Sequence, residues 1–367
     1  MRTARTEGPR TLWVFAGLGL GIEACYAGMV GLGNLRQQTV AFLCLCGLAF
    51  LFYGIAVWGS LHWAERRRTL ILIWGLALVF RVTLLFTTPP TLSDDVYRYI
   101  WDGRLANHGI SPYALPVDSP LLNNLDSPLR ALVNNNWMAS PYLPTAQGLF
   151  ALVYCLLPDS ALAFQIAAML LDLLTGLFVF DLLRRLGLPG TRVLIYLWNP
   201  LVVIEFAHGA HIDSLMLCLM MAALWALIVA RSRIFSAILL AAATLTKGLP
   251  VLLLPVMAGR WGWRYVLSYA ALIGLVLALF SLGPGWGLAG PLDGTGLFGA
   301  LRIYGTYWNY NGGVYHWLEV ALSGYPTPGP VPIEVVGLAP IRAAKLIVAG
   351  ALGLVLVAVW WRCRRCD

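Results

Sequence analysis

The chain predicts an all-α, polytopic membrane bundle, and three observations carry that reading. Of its 367 residues 59% are hydrophobic and 11% charged, against roughly 25% charged in ordinary soluble domains. Several apolar runs reach the ~20 residues that a bilayer-spanning helix needs. Hydrophobicity within them is continuous rather than alternating, which selects helices over a closed barrel, the other structure that satisfies its backbone in lipid.

In chain order the apolar segments lie at about 12–32, 40–61, 69–88, 160–183, 191–207, 212–230, 234–258, 265–283 and 341–361. Arg2, Arg5 and Arg10 ahead of the first imitate a signal peptide, but no small-residue cleavage pattern follows and Glu23 spoils a lipobox at Cys25. An uncleaved first span is expected. Sixteen of the 25 basic residues fall in short connections: Arg2, Arg5 and Arg10, then Arg66 to Arg68, Arg184, Arg185 and Arg192, Arg231 and Arg233, Arg260 and Arg264, and Arg362, Arg364 and Arg365. The positive-inside rule assigns them, with both termini, to the cytoplasm.

One topology satisfies all of these loops, provided that 234–258 goes in and comes back. That segment is interrupted at Lys247-Gly248-Leu249-Pro250, and Gly and Pro break membrane helices where protein or water lines the break. Two short helices with Lys247 at their tip are predicted. By the same parity, the short apolar run 145–157 is expected as an interfacial or re-entrant helix. About ten crossings result. Two long segments, about 89–143 and 284–340, remain outside; both are rich in Pro, Gly, Asn, Trp and Tyr, as loops lying along an interface are. Arg342 and Lys345 start the last span on the outer side, against the rule. Residues 1–68 are read as two additional N-terminal helices, and 69–367 as one membrane domain. The expected location is the plasma (inner) membrane, with the outer loops extracytoplasmic.

A net charge of +8 suggests nucleic acid in a soluble protein, but no basic patch interleaved with aromatics stands out, so nucleic-acid binding is excluded. Seven Cys, at 25, 44, 46, 155, 218, 363 and 366, fall mostly in apolar runs and form no disulfide framework. Cys363 and Cys366 make a lone CxxC, weak support for zinc without a second pair or a nearby His.

Chemistry concentrates in residues 91–113, TLSDDVYRYIWDGRLANHGISPY. If this segment is helical, Asp94, Arg98 and Asp102 share one face and Tyr97 and Trp101 the adjoining one. The bland alternative is an interfacial helix with its charges in water. Against it, Glu205, His208, His211 and Asp213 gather at the outer ends of 191–207 and 212–230, Lys247 points to the same side, and Arg302 sits in the second outer loop. A single His is most often structural, whereas ionisable residues at membrane depth are costly and mark function. A lysine in a broken apolar helix needs an anion, and a phosphate-bearing lipid reaches it from the bilayer. A carboxylate beside it takes the proton of an attacking hydroxyl while Lys and Arg stabilise a departing phosphate; that chemistry is glycosyl transfer from a lipid phosphosugar.

Four motifs then appear in order: SDDVYRYIWDGRLANHGISPY (93–113), SPYLPTAQGLFALVY (140–154), YLWNPLVVIEFAHGAHIDSLMLCLMMAAL (196–224) and LAAATLTKGLPVLLLP (240–255). Together they resemble the GT-C superfamily of glycosyltransferases, especially the bacterial polyprenol-phosphate-mannose-dependent mannosyltransferase branch, over roughly residues 70–320. The resemblance implies a GT-C membrane bundle and a catalytic base at the start of the first outer loop, which lands on Asp94 or Asp95. Tyr142 opens a segment matching a family Tyr-Pro-Pro stretch, departing from it at Leu143. The family's Gly-His-Asn-Asp stands here as Ala210-His211-Ile212-Asp213, leaving His211 and Asp213, with His208 and Asp102, as candidates for sugar or acceptor. Lys247 matches a lysine implied to contact the lipid phosphate, with Arg98 and Arg302 as further phosphate ligands. Trp308, Tyr310 and His316 are placed to stack on sugar or polyprenyl, although Trp and Tyr there also suit an ordinary interfacial belt.

The implied reaction moves a hexose, mannose first among them, from a polyprenyl-phosphate donor to a lipid, glycan or protein acceptor with inversion. Asp94 and Asp95 are able to ligate Mg or Mn, but no metal or other cofactor is predicted, as in family members with lipid-monophosphate donors. A transporter of a lipid-linked sugar also uses broken helices and buried charge. It commonly has paired halves, which this sequence lacks.

Overall fold

The computed structural model describes residues 10–281, 295–307, 313–323 and 340–364. They are helical, with no strand among them. Helices α1 (Arg10–Leu32), α2 (Thr39–His62) and α3 (Arg67–Leu85) pack around Phe15, Tyr26, Ile73 and Phe80, against which Trp198 closes from later in the chain. Pro89 and Pro90 forbid continuation of α3. Its last carbonyls are satisfied locally: Thr87 and Thr88 hydroxyls donate to Leu84 and Leu85, as helix ends require.

The first long loop carries regular structure of its own. It holds α4 (Asp95–Asn107) and two 3-10 turns, Pro120–Leu125 and Arg130–Leu132, and leads into α5 (Pro144–Leu156). Trp101, Val117, Leu122, Val133 and Phe150 bury one another between these pieces. The water-facing reading of α4 fails, because Tyr97, Arg98, Trp101 and Asp102 are all buried. At Gly103 an added Cβ would sit 2.5 Å from the Phe150 carbonyl oxygen, so α4 rests directly on the α5 backbone.

Ser160 caps α6 (Ala161–Arg185). The segment expected as one span over 191–207 is instead a string of short pieces: a 3-10 turn (Gly190–Val193), α7 (Leu194–Leu197), α8 (Pro200–Val203) and a π-turn (Ile204–His208). Pro200 has no N–H to continue α7, and the Asn199 side chain caps the restart by accepting from Leu201 N at 3.0 Å. The chain then bends by 120° into α9 (Asp213–Ile228). Helix α10 (Arg233–Thr244) ends before Lys247, and a 3-10 turn (Leu249–Leu253) resumes into α11 (Leu254–Trp261), so 234–258 is a broken pair as expected. Helices α12 (Trp263–Ser281), α13 (Gly299–Tyr307), α14 (Gly313–Ser323) and α15 (Pro340–Arg364) complete the described chain.

Five described helices, α1, α2, α3, α6 and α12, are long and apolar enough to cross a membrane, and the bent 200–228 pair adds a sixth if counted as one span. One end of the bundle gathers the α1–α2 turn, the start of α4, the 204–213 bend and the α10–α11 break. The other gathers basic connections, where Glu65 accepts from Gly190 N at 2.7 Å.

Candidate active site

Two carboxylates open α4, Asp94 as the residue before its first turn and Asp95 within it; the positive end of a helix dipole favours negative charge there. Both line a cavity of about 850 Å³ at the gathered end of the bundle. Asp95 Oδ1 accepts from Asn134 Nδ2 at 2.8 Å, and its Oδ2 lies 3.8 Å from His211 Nδ1. The other imidazole nitrogen of His211 is 3.2 Å from Glu205 Oε2, so the ring bridges two carboxylates. Asp94 Oδ2 takes a single bond, from Arg36 Nη1 at 3.1 Å, and its Oδ1 takes none from the described residues.

The bend that delivers Glu205 and His211 is built tightly. An added Cβ at Gly209 would meet His211 Cδ2 at 2.5 Å and the Glu205 carbonyl at 2.7 Å, and Ala210 adopts φ +56°, a region that L-residues rarely occupy. His208 is wholly buried in the wall. Thr91 N donates to its Nε2 at 3.2 Å, and its Nδ1 is 2.6 Å from Thr87 Oγ1. Thr87 Oγ1 already donates to Leu84 O, so Nδ1 carries the proton and the imidazole is neutral. His208 thereby ties the 87–91 approach to the bend and sets where Asp94 begins.

Arg98 lines the cavity but is 2% exposed. Its guanidinium donates to Met138 O at 3.1 Å, Asn134 O at 3.1 Å and Asn135 O at 2.9 Å. It pins the 134–138 turn that offers Asn134 to Asp95. Lys247, at the break after α10, holds both oxygens of Asp213 at 2.8 Å. Tyr142 lines the cavity mouth near Leu143, its ring edge-on to Tyr99 at 5.2 Å.

Asp102 lies behind this wall, outside the cavity lining, with no exposure at all. Its Oδ2 accepts from Ser140 Oγ at 2.5 Å and Gln147 Nε2 at 2.9 Å. Burial pushes its carboxyl up to about 6, against the pull of the Arg98 charge and those two bonds. Below about pH 4 the group is protonated folded and unfolded alike and costs nothing. From about pH 4 the unfolded chain ionises first, and stability falls by up to about 3 kcal/mol from this group by the time pH has passed about 6. Asp102→Asn is therefore expected to flatten the change in melting temperature between pH 4 and 7, measured in detergent; an unchanged slope rejects the assignment.

Of the second long loop, Leu301 lines the cavity. Its neighbour Arg302 is exposed, and His316 on α14 is half-buried; neither lines the cavity. Trp308 and Tyr310 lie outside the described residues. Sequence reasoning did not place Arg36, Asn134 or Asn135 in the site, and left Glu205 without a role. Arg36 carried one usable signal: it is a basic residue in a connection on the side where the positive-inside rule expects few.

The chain matches the family model described as alpha-(1->6)-mannopyranosyltransferase, N-terminal domain, over residues 13–263. The match takes in α1 and α2 as well as the cavity residues up to Lys247. It is 28% identical over 386 residues to alpha-(1->6)-mannopyranosyltransferase A of Mycobacterium tuberculosis, covering 93% of this chain and 70% of that one. To alpha-(1->6)-mannopyranosyltransferase A of Corynebacterium glutamicum it is 25% identical over 142 residues, 37% of this chain and 28% of the relative. No solved structure matches the chain. On the family match, which covers well over half of the sequence and every described cavity residue but Leu301, the chain belongs to the alpha-(1->6)-mannopyranosyltransferase family of membrane glycosyltransferases.

Proposed function

We propose that the protein transfers a mannosyl residue from a polyprenyl-phosphate donor to a hydroxyl of a glycan, glycolipid or protein acceptor, at the extracytoplasmic face of the membrane. One observation carries the reading: a single cavity of about 850 Å³ brings the Asp94–Asp95 carboxylates together with Lys247, Arg36 and Arg98. Base and phosphate grip are the two things the reaction needs from a protein. The distribution of basic residues supports the sidedness, since sixteen of 25 fall in the connections assigned to the cytoplasm and the cavity lies at the opposite ends of those helices.

The donor reaches the cavity sideways from the bilayer, its phosphate toward Lys247. The acceptor oxygen attacks the anomeric carbon from the face opposite the phosphate, the C1–O bond to phosphate breaks, and the hydroxyl proton passes to a carboxylate. Inversion turns a β-phosphate donor into an α-mannoside, the linkage in the relatives' names. A lipid phosphate leaves as an anion, so no general acid is required. Asp94 is the base in this proposal, because its Oδ1 is open to the cavity while both oxygens of Asp95 face Asn134 and His211.

Purified protein, polyprenyl-phospho-[¹⁴C]mannose and a membrane extract test this. Release of polyprenyl phosphate with labelled product supports transfer; label that crosses vesicles still attached to its lipid means transport instead. Lys247→Gln is expected to raise the KM for the donor about tenfold or more, as loss of a charge-assisted bond to phosphate does, with a smaller effect on kcat. An unchanged donor KM rejects the grip. We also propose that no divalent metal takes part, because the described residues hold no group of three or more His, Cys, Asp or Glu side chains arranged to bind one. Turnover is expected to persist in excess EDTA, and activity lost there and restored by Mg or Mn rejects the proposal.

A further inference from the structure

Among the described residues, Arg36 is the cation of this cavity with the most donors to spare. A guanidinium offers five N–H groups in a planar fork. Arg98 is buried and spends three of its own on backbone carbonyls deep in the wall, and Lys247 is held by both oxygens of Asp213. Among the described residues Arg36 makes one side-chain bond, from Nη1 to Asp94 Oδ2 at 3.1 Å. Its side chain stays 53% exposed, and that of Asp94 39%. An ion pair so open to water holds weakly, because solvent screens it and both side chains give up rotamer freedom to keep it. Phosphate, by contrast, accepts two parallel N–H bonds from the same fork.

The backbone that carries Arg36 is anchored. Leu35, beside it, is 1% exposed, and its N–H donates to Thr91 Oγ1 at 3.1 Å, three residues before Asp94. Thr91 N in turn donates to His208. The turn between α1 and α2 is therefore fixed against the approach to Asp94, while the long side chain of Arg36 remains free to change partner.

We propose that Arg36 is an exchangeable phosphate ligand. It holds Asp94 while the cavity is empty and swings to the donor phosphate on binding, which frees both oxygens of Asp94 for the acceptor proton. The inference rests on the donor and base proposed above. It gives α1 and α2 a place in the reaction, and it frees the second oxygen of Asp94 once a donor is seated.

The test uses the full chain in nanodiscs, with polyprenyl phosphate and uncharged polyprenol as probes and inorganic phosphate as competitor, in wild type, R36Q, R36K, D94N and R36Q/D94N. R36Q is expected to weaken polyprenyl phosphate about tenfold or more and to leave polyprenol unchanged, with R36K between, since it keeps the charge and loses the fork. D94N is expected to tighten polyprenyl phosphate severalfold by removing the competing carboxylate, and that gain is expected to vanish in R36Q/D94N. Two results overturn the exchange: R36Q binding polyprenyl phosphate like wild type, or D94N tightening it equally with and without Arg36. Competition by inorganic phosphate as strong as by the lipid reassigns Arg36 to free phosphate and overturns the donor role. Wild type that binds polyprenyl phosphate no better than polyprenol overturns the donor assignment itself, a result no Arg36 variant enters.

Discussion

Asp94→Asn is expected to cut kcat/KM for mannosyl transfer by about 10²- to 10⁴-fold, the range that loss of a positioned general base produces. The residue sits at the surface of the cavity rather than in the core, 39% exposed, and makes no bond that α4 depends on, so the variant is expected to fold and melt like wild type. Asp95→Asn is expected to lose less, because asparagine still presents an oxygen to Asn134 Nδ2. Initial rates with labelled donor, beside thermal unfolding of each purified variant, decide the matter. Wild-type turnover by Asp94→Asn removes it from the mechanism, and a larger loss in Asp95→Asn moves the base to that residue.

Asp172→Ala is expected to be the most destabilising single change in the bundle, by about 3–5 kcal/mol, the cost of leaving one buried charge without its partner. Arg81 on α3 and Asp172 on α6 have no exposed side-chain surface, and Arg81 Nε reaches Asp172 Oδ2 at 2.5 Å. Arg81 Nη1 also donates to the carbonyls of Ala77 and Leu197, and Tyr196 donates to Asp172 Oδ1 at 2.6 Å. The pair thus clamps α3, α6 and α7 beside the stretch that leads to Asp94. Its net contribution is small, since desolvating both charges offsets most of the attraction and Arg81 Nη2 is buried without a partner among the described residues. Replacing both together, as Arg81→Met with Asp172→Leu, is therefore expected to recover most of the loss. Melting temperatures in detergent measure it; an Asp172→Ala protein as stable as wild type, or a double variant no better than the single, contradicts this account.

Much of the bundle was legible because lipid imposes it locally. The segments at 12–32, 40–61 and 160–183 became α1, α2 and α6 almost residue for residue, and Lys247-Gly248-Leu249-Pro250 broke its helix as Gly and Pro do. The stretch 191–207 was misjudged because continuous hydrophobicity masked Asn199-Pro200, a stop that composition averages away. The structure of the loop before α5 was not legible for a different reason: its aromatics suit an interface, and nothing local says that Tyr99 and Phe150 stack on each other in the interior.

Hydropathy and the Gly and Pro positions alone make the chain a helical membrane protein, break one helix at Lys247-Gly248-Leu249-Pro250, and leave Asp94, Asp95, His211 and Lys247 out of place in oily segments. Each of these is a local free-energy preference, written in hydropathy, Pro and Gly. Which charges meet was decided only by tertiary structure. Arg36 and Asp94 are 58 residues apart, Arg81 and Asp172 91, and Glu205 meets His211 only through a π-turn and a left-handed Ala210. Such meetings follow from how helices pack against one another, and packing depends on all of the side chains between them rather than on any one window of sequence.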